Sequence, residues 1–398
     1  MLKVFSDFLD KFDGDFACRS SGGSPSYSIL DAGCGVGVLG ICAAGALSSL
    51  SGCVHVRAQD RDELARVFTE HNARRNGLDE ENLTAHTEPL LSGPPGCRWD
   101  IILTNIPAKT GRPVLEDFIP RSAGALKKDG RVFLVAVNTL ADFFRSRIAA
   151  AGAHLHIEET GKEHSVFVYG RNEAAAAAHE SGPLVFDENF PQAYPFYIRN
   201  RSGYEMEGIS YRLDTIYGAP DFDNPGGAVQ AAAKLAVKID LELKLRGKEA
   251  ALLINDSGQG HFALWLERYL RHGAFRWVLS GRNALALAAA RAALSAALPP
   301  EAAPAALSSI IPVTDISLDR RRIEKAGPFA LIAFFPEGGN LGFRETLFDE
   351  TVIDSGGIVI AGMTSAEAER FDRKKPSFLC RVGDIKRKGF RAMAYQAR

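Results

Sequence analysis

The chain has 398 residues, 46% of them hydrophobic and 24% charged, with a formal net charge of -1. That length exceeds one typical domain, so two are expected. The near-neutral balance argues against general polyanion binding and leaves room only for local basic patches. Six cysteines, Cys18, Cys34, Cys42, Cys53, Cys97 and Cys380, form neither a Cys-x-x-Cys pair nor a metal-ligand spacing. Reduced thiols, a cytoplasmic location and no metal are therefore expected. The opening residues carry acids where a secretory leader needs an unbroken apolar core. The alanine-rich run at 284–298 is interrupted by Arg291 and too short to span a bilayer.

In chain order, residues 30–40 read Leu-Asp-Ala-Gly-Cys-Gly-Val-Gly-Val-Leu-Gly. An apolar strand ends in Asp31 and runs into a glycine loop that opens a helix, the arrangement of a nucleoside-cofactor site. Gly35, Gly37 and Gly40 fit a dinucleotide fingerprint, with a pyrophosphate on the helix N-terminus. The frame of Asp31, Gly33, Gly35 and Gly37 fits a cationic ligand better, because a carboxylate at short range repels phosphate and attracts ammonium or sulfonium. Strand patterns follow at 54–58, 83–86, 100–104 and 131–137, with helix patterns at 61–76 and 141–151 and a closing hairpin at 154–158 and 165–169. Strands alternating with helices imply a parallel, doubly wound sheet.

About 220 residues further on, the same order returns. Strands are expected at 250–254, 276–279, 329–335 and 357–362, a helix through Leu298, and a final hairpin at 379–382 and 390–395. The second copy keeps a loop, Asn255-Asp-Ser-Gly-Gln-Gly260, but has Ser280-Gly-Arg282 where the first has Asp60, and Phe334-Phe-Pro336 where the first has Asn105-Ile-Pro107. The expected organisation is a working domain at 1–172, a linker and wrapping segment at 173–227, and a degenerate copy at 228–398. Residues 299–304 read as an exposed loop in that copy.

Ligands of such sheets sit at the carboxyl ends of the strands. Gly33, Gly35 and Gly37 should line the cofactor. Asp60, closing the second strand, offers two acceptor oxygens to two ribose hydroxyls, and Thr87 or Glu88, after the third, could meet an adenine amine. The strand 99–104 ends in Asn105-Ile106-Pro107, continuing Ala-Lys-Thr-Gly111.

These motifs carry a resemblance. Asp31-x-Gly33-x-Gly35-x-Gly37 resembles motif I of class I S-adenosylmethionine (SAM) methyltransferases, and Asn105-Ile-Pro107 resembles motif IV of the amino methyltransferases. The stretch from Asn105 to Gly111 looks like that of the tandem-domain ribosomal RNA guanine-N2 methyltransferases. Val4-Phe-Ser6 and Asn255-Asp-Ser257 are similar to further segments of that family, which also pairs an active with a degenerate domain. The resemblance implies two tandem Rossmann-like methyltransferase domains, each a mostly parallel sheet with an antiparallel C-terminal hairpin, and SAM as cofactor. It implies methyl transfer to an exocyclic base amine of RNA, most specifically guanine N2 of ribosomal RNA. In that mechanism the Asn105 side-chain oxygen and the Ile106 carbonyl accept the two amine hydrogens while Pro107 holds the turn. The alternatives are protein glutamine or DNA adenine as acceptor, or a non-catalytic SAM- or RNA-binding protein.

Here the intact domain comes first, whereas in that family the degenerate one does, and Lys109 replaces a histidine. Ala108 stands where the family has a base-stacking aromatic, so either Phe186, Phe190, Tyr194 or Tyr197 supplies the platform, or the substrate is different, or activity is weak. Docking of RNA, ribosomal RNA or a ribosomal subunit is expected through Arg373, Lys374, Lys375, Lys386, Arg387 and Lys388, with a further basic run at 320–322.

Overall fold

The alternating strand and helix patterns resolve into two seven-stranded sheets, one in each of two units, Met1–Asp187 and Glu188–Arg398. The computed structural model describes residues 3–4, 26–51, 53–171, 182–187, 189–220, 223–247, 249–255, 258–271, 274–297, 310–314, 326–336 and 349–398. The expectations for residues 5–6, 173–181, 256–257, 299–304 and 320–322 lie outside the described residues.

In the first unit β1 (Ser26–Ala32), β2 (Cys53–Asp60), β3 (Leu83–Thr87), β4 (Trp99–Asn105) and β5 (Leu126–Val137) run parallel. The hairpin of β6 (His154–Thr160) and β7 (His164–Gly170) adds antiparallel to β5, giving the order β3-β2-β1-β4-β5-β7-β6. Successive side chains of a strand point to opposite faces, and both faces of a parallel sheet are covered by helices, so the strands read as apolar runs. Ile29, Val56, Leu103 and Phe133 pack with Ala43, Ala44 and Leu47 of helix Val38–Ser51. Their neighbours Leu30, Ile102, Val132 and Leu134 pack on the other face with Phe118 and Phe144 of helices Arg112–Gly124 and Ala141–Ala150.

The second unit opens with a two-stranded hairpin, β8 (Ile198–Met206) and β9 (Ile209–Ile216). Its sheet holds β10 (Glu249–Asn255), β11 (Ala274–Gly281), β12 (Ile310–Thr314), β13 (Phe329–Phe334), β14 (Ile353–Thr364), β15 (Leu379–Arg387) and β16 (Phe390–Ala397). Their order is β12-β11-β10-β13-β14-β16-β15, the order of the first sheet repeated. The fold is therefore a tandem pair of Rossmann-like domains with antiparallel C-terminal hairpins. Strand β12 has no counterpart in the sequence reading. It carries Pro312 and sits at the sheet edge, where a missing N–H does least harm to the ladder.

Residues 189–220, read from sequence as part of a linking and wrapping segment, belong to the second unit. The hairpin sits on that unit's glycine loop and the helix that follows it, His261–Tyr269. The buried Gln259 accepts the Ile216 N–H at 2.6 Å, Tyr211 Oη and His261 Nδ1 share a hydrogen bond of 2.9 Å, and Trp265 Nε1 donates to the Met206 carbonyl at 2.9 Å. Burial holds His261 neutral, its pKa lowered to about 4. Sheet register aligns Asn255, which pairs with Ser280, with Ala32, which pairs with Gln59. Gln259 and His261 then stand where the first unit has Val36 and Val38. Those valines are 49% and 53% exposed, whereas Gln259 and His261 are 0% and 2% exposed beneath the hairpin.

Gln259→Ala leaves the Ile216 N–H buried without an acceptor, a cost of about 1–3 kcal/mol. We expect an earlier urea midpoint for this variant. An unchanged midpoint would mean that the hairpin is not fastened through that bond.

Candidate active site

The first unit's site is built outward from the end of β1. Asp31 is fully buried, and its Oδ2 accepts the Gly40 N–H at 2.8 Å while Oδ1 has no partner among the described residues. Burial pushes its carboxyl up to about 7, the Gly40 hydrogen bond works against that rise, and the neighbouring Asp60 charge adds to it. Gly40 has to be glycine, because a Cβ there would stand 2.9 Å from Asp31 Oδ2 and 3.0 Å from Val56 Cγ1. Between these anchors Gly33, Gly35 and Gly37 all have positive φ, 81°, 55° and 88°, which L side chains rarely adopt. A Cβ on Gly35 would meet nothing within 4 Å, so the loop presents bare backbone on that side.

Neighbouring elements fix the loop from outside. The Gln59 carbonyl at the end of β2 accepts the Gly33 and Cys34 N–H groups at 2.9 and 3.0 Å. From helix Glu63–Arg75, Thr69 Oγ1 donates to the Gly35 carbonyl at 3.1 Å and Asn72 Nδ2 to the Val36 carbonyl at 2.9 Å. The Gln59 side chain reaches the carbonyls of Pro89 and Leu90 after β3. Sequence reasoning missed Gln59, Thr69 and Asn72. The signal available was the i, i+3 spacing of Thr69 and Asn72, which puts both on one helix face. The Cys34 thiol is pushed up by burial and by the Asp31 charge, so it stays protonated.

Parallel pairing brings the other sequence-predicted residues to the same edge. Asp60 closes β2, and its oxygens accept the Gly35 N–H at 3.2 Å and the Asp62 N–H at 3.0 Å. An ionised carboxylate has about four acceptor positions, so capacity for further donors remains. Thr104 pairs with Ala32, which sets Asn105 level with Gly33 on the adjacent strand. Asn105 and Pro107 are exposed, Ile106 is buried, and the Ile106 N–H donates to the Val135 carbonyl at 3.3 Å. Asp31, the glycines, Asp60, Asn105 and Ile106 thus gather at the carboxyl ends of β1, β2 and β4.

Thr87 lies at this edge too, but its hydroxyl donates to Glu63 Oε2, while Glu88 pairs with Arg57 at 2.8 Å. The end of β3 therefore offers an engaged hydroxyl and an ion pair. Of the aromatics expected to replace a base-stacking ring, Phe186 lies in the first unit. Phe190, Tyr194 and Tyr197 lie in the second, where Phe190 and Tyr197 are buried in a ring cluster with centroids 5.0 Å apart.

The basic residues expected to dock RNA fall at opposite ends of β15. Lys386, Arg387 and Lys388 turn into β16 beside Thr364, the carboxyl end of β14, whereas Arg373, Lys374 and Lys375 precede the start of β15. Arg387 pairs with Glu207 of the hairpin turn at 3.3 Å.

In the second unit the same registers put Ile254 in the place of Asp31 and Gly281 in the place of Asp60. Phe335 takes the place of Asn105 and packs on Phe262 with centroids 5.0 Å apart. Among the described residues no cluster of His, Cys, Asp and Glu could hold a metal, and no helix is long and apolar enough to cross a membrane.

The family model of the methyltransferase small domain matches residues 21–151. The ribosomal protein L11 methyltransferase of Marinobacter nauticus is 34% identical over 109 residues, 27% of this chain and 33% of that protein. The one from Teredinibacter turnerae is 36% identical over 110 residues, 28% and 33% of the two chains. The chain thus spans about a third of the length of these curated relatives. Among solved structures, the T. thermophilus 16S rRNA N2 G1207 methyltransferase (RsmC), in complex with AdoMet and guanosine, is similar with a TM-score of 0.58 at 16% identity. That match covers 98% of this chain and 91% of that one, a likeness of fold.

The Asp31 carboxyl holds its proton up to about 7 in the folded chain and releases it near 3.8 when unfolded. Between those values the folded state binds more protons, so stability falls as pH rises through that window. Asp31→Asn keeps an oxygen for the Gly40 N–H and should flatten this fall in thermal melts. A slope equal to the parent's would show that Asp31 does not carry it.

Proposed function

We propose, from the match of residues 21–151 to the methyltransferase small domain model, that this chain transfers a methyl group from SAM to an exocyclic base amine of RNA, guanine N2 of ribosomal RNA first among them. The observation that carries this reading is the pairing of Thr104 with Ala32, which brings the acceptor-type Asn105 level with the bare glycine loop one strand away. Adjacent strands lie about 4.8 Å apart, the scale on which a cofactor on the loop and a planar amine at Asn105 can meet. The whole-chain likeness in fold to RsmC, an N2 guanine methyltransferase of 16S rRNA, supports this choice of acceptor.

The residues present fit SAM. Among the described residues Asp31 Oδ1 is a buried acceptor without a partner, the open side of Gly35 leaves the backbone approachable, and Asp60 can accept from ribose hydroxyls. SAM would supply a methyl group on a cationic sulfonium. A cation near Asp31 favours its ionised form, so SAM affinity should rise with pH toward about 7.

Asn105 and Ile106 then act on the acceptor. A base amine is planar and weakly nucleophilic, because its lone pair is delocalised into the ring. The Asn105 side-chain oxygen and the Ile106 carbonyl would accept its two hydrogens, turn the nitrogen toward the methyl group and stabilise the positive charge that develops on it. The Val135 carbonyl pins the Ile106 N–H, and Pro107, at φ -67° and ψ 140°, sets the turn. Residues 228–398 would serve as a docking partner without turnover, since Ile254, Gly281 and Phe335 offer none of these groups. A second reading, transfer to ribosomal protein, is favoured by the identity with the L11 methyltransferases.

A transfer assay with labelled SAM against ribosomal subunits, naked RNA and ribosomal protein, followed by nucleoside analysis, separates the two. Label in N2-methylguanosine is expected, and label confined to protein refutes the RNA reading. Asn105→Ala should cut turnover about 100- to 1,000-fold while SAM affinity stays near that of the parent. Asp60→Ala should weaken SAM binding by about 1.5–3 kcal/mol. Calorimetry should find one SAM site per chain, and two would contradict the loss of the second site.

A further inference from the structure

Helix Arg112–Gly124 begins directly after the Ala108–Thr110 turn and Gly111, and helix Ala141–Ala150 directly after the Asn138–Leu140 turn that ends β5. The two helices meet at Phe143. The Arg112 guanidinium carbon lies 5.4 Å from that ring's centroid and the Arg147 carbon 5.7 Å, and both guanidiniums donate to Glu116 Oε1, at 3.1 and 2.7 Å. Lys109, exposed in the preceding turn, adds a third cation. One carboxylate therefore serves two guanidiniums, with the Lys109 ammonium nearby in the chain, beside the carboxyl ends of β4 and β5, the edge that holds Asn105.

A cation in the first turn opposes the helix dipole, and this helix has no acid there. The Phe143 ring and the i, i+4 pair with Glu116 offset that and hold the Arg112 side chain in place while leaving it 72% exposed. A guanidinium laid against a ring keeps its planar fork of donors turned outward, the geometry that fits phosphate oxygens.

Building on the RNA reading above, we propose that Lys109, Arg112 and Arg147 form a phosphodiester-binding site that holds the RNA strand beside the acceptor base, with Phe143 and Glu116 positioning the two guanidiniums. The site grips the strand by its backbone where Ala108 offers no ring to the base.

Binding of single-stranded oligouridylate to the full chain, followed by fluorescence anisotropy across a salt series, tests the proposal. Each phosphate neutralised on a single strand contributes about 0.7 to the slope of log K against log salt. Lys109→Ala and Arg112→Ala should each make the slope shallower by about 0.7, and the pair by about 1.4. Arg112→Lys, which keeps the charge, should retain it, and Lys244→Ala in the second unit should leave it unchanged. A double variant with the wild-type slope overturns the proposal even where the wild type methylates RNA. A wild type that methylates only protein refutes the RNA reading, whatever the slopes.

Discussion

The hydrogen bond from the Gly40 N–H to Asp31 Oδ2 is the constraint on which the first unit's site depends. It ties the end of the central strand to the first turn of the following helix, so the glycines between have to close the gap with positive φ at three positions. The tie works only because Gly40 lacks a Cβ, and it places a carboxylate where water cannot reach. A half-satisfied buried acid is costly to a fold. The carboxyl meets that cost by holding its proton up to about 7.

The second unit is the same architecture after that constraint has been relaxed. Ile254 occupies the position of the acid, and the loop that follows no longer has to present open backbone. Gln259 and His261 turn inward instead, each holding a hydrogen bond to the chain's own hairpin, while His261 Nε2 has no partner among the described residues. Phe335 fills with apolar packing the position where Asn105 stands exposed in the first unit. The strand order is common to both units, while the groups that Asp31, Asp60 and Asn105 offer have no equivalent at Ile254, Gly281 and Phe335.

Strand order, the repeat and the glycine loop were legible in sequence because buried parallel strands are short apolar runs and the loop is punctuated by glycine. Other features were not, for separable reasons. Pro312 disguised β12, whose edge position makes the proline tolerable. The β8–β9 hairpin hides its apolar residues, Tyr211 and Leu213, against helices, in a stretch whose aromatics and charges read as a connection. Thr69 and Asn72 look like an ordinary solvated helix face until the loop they hold is in place. The engagement of Thr87 by Glu63 depends on how β3 meets the helix after β2. The two basic runs look like neighbours in the chain, yet β15 separates them by about 30 Å. Phe143, which gathers two arginines, has no motif around it at all.

The hairpin on the second loop also determines where the protein can be cut. The recurring order of strand and helix patterns puts the start of the repeat near residue 228, but the second unit begins at Glu188. A fragment started at the repeat would strip the cover from Gln259, His261 and Trp265. The compact unit is therefore longer than the repeated stretch, because residues 189–220 supply the cover under which those side chains are buried.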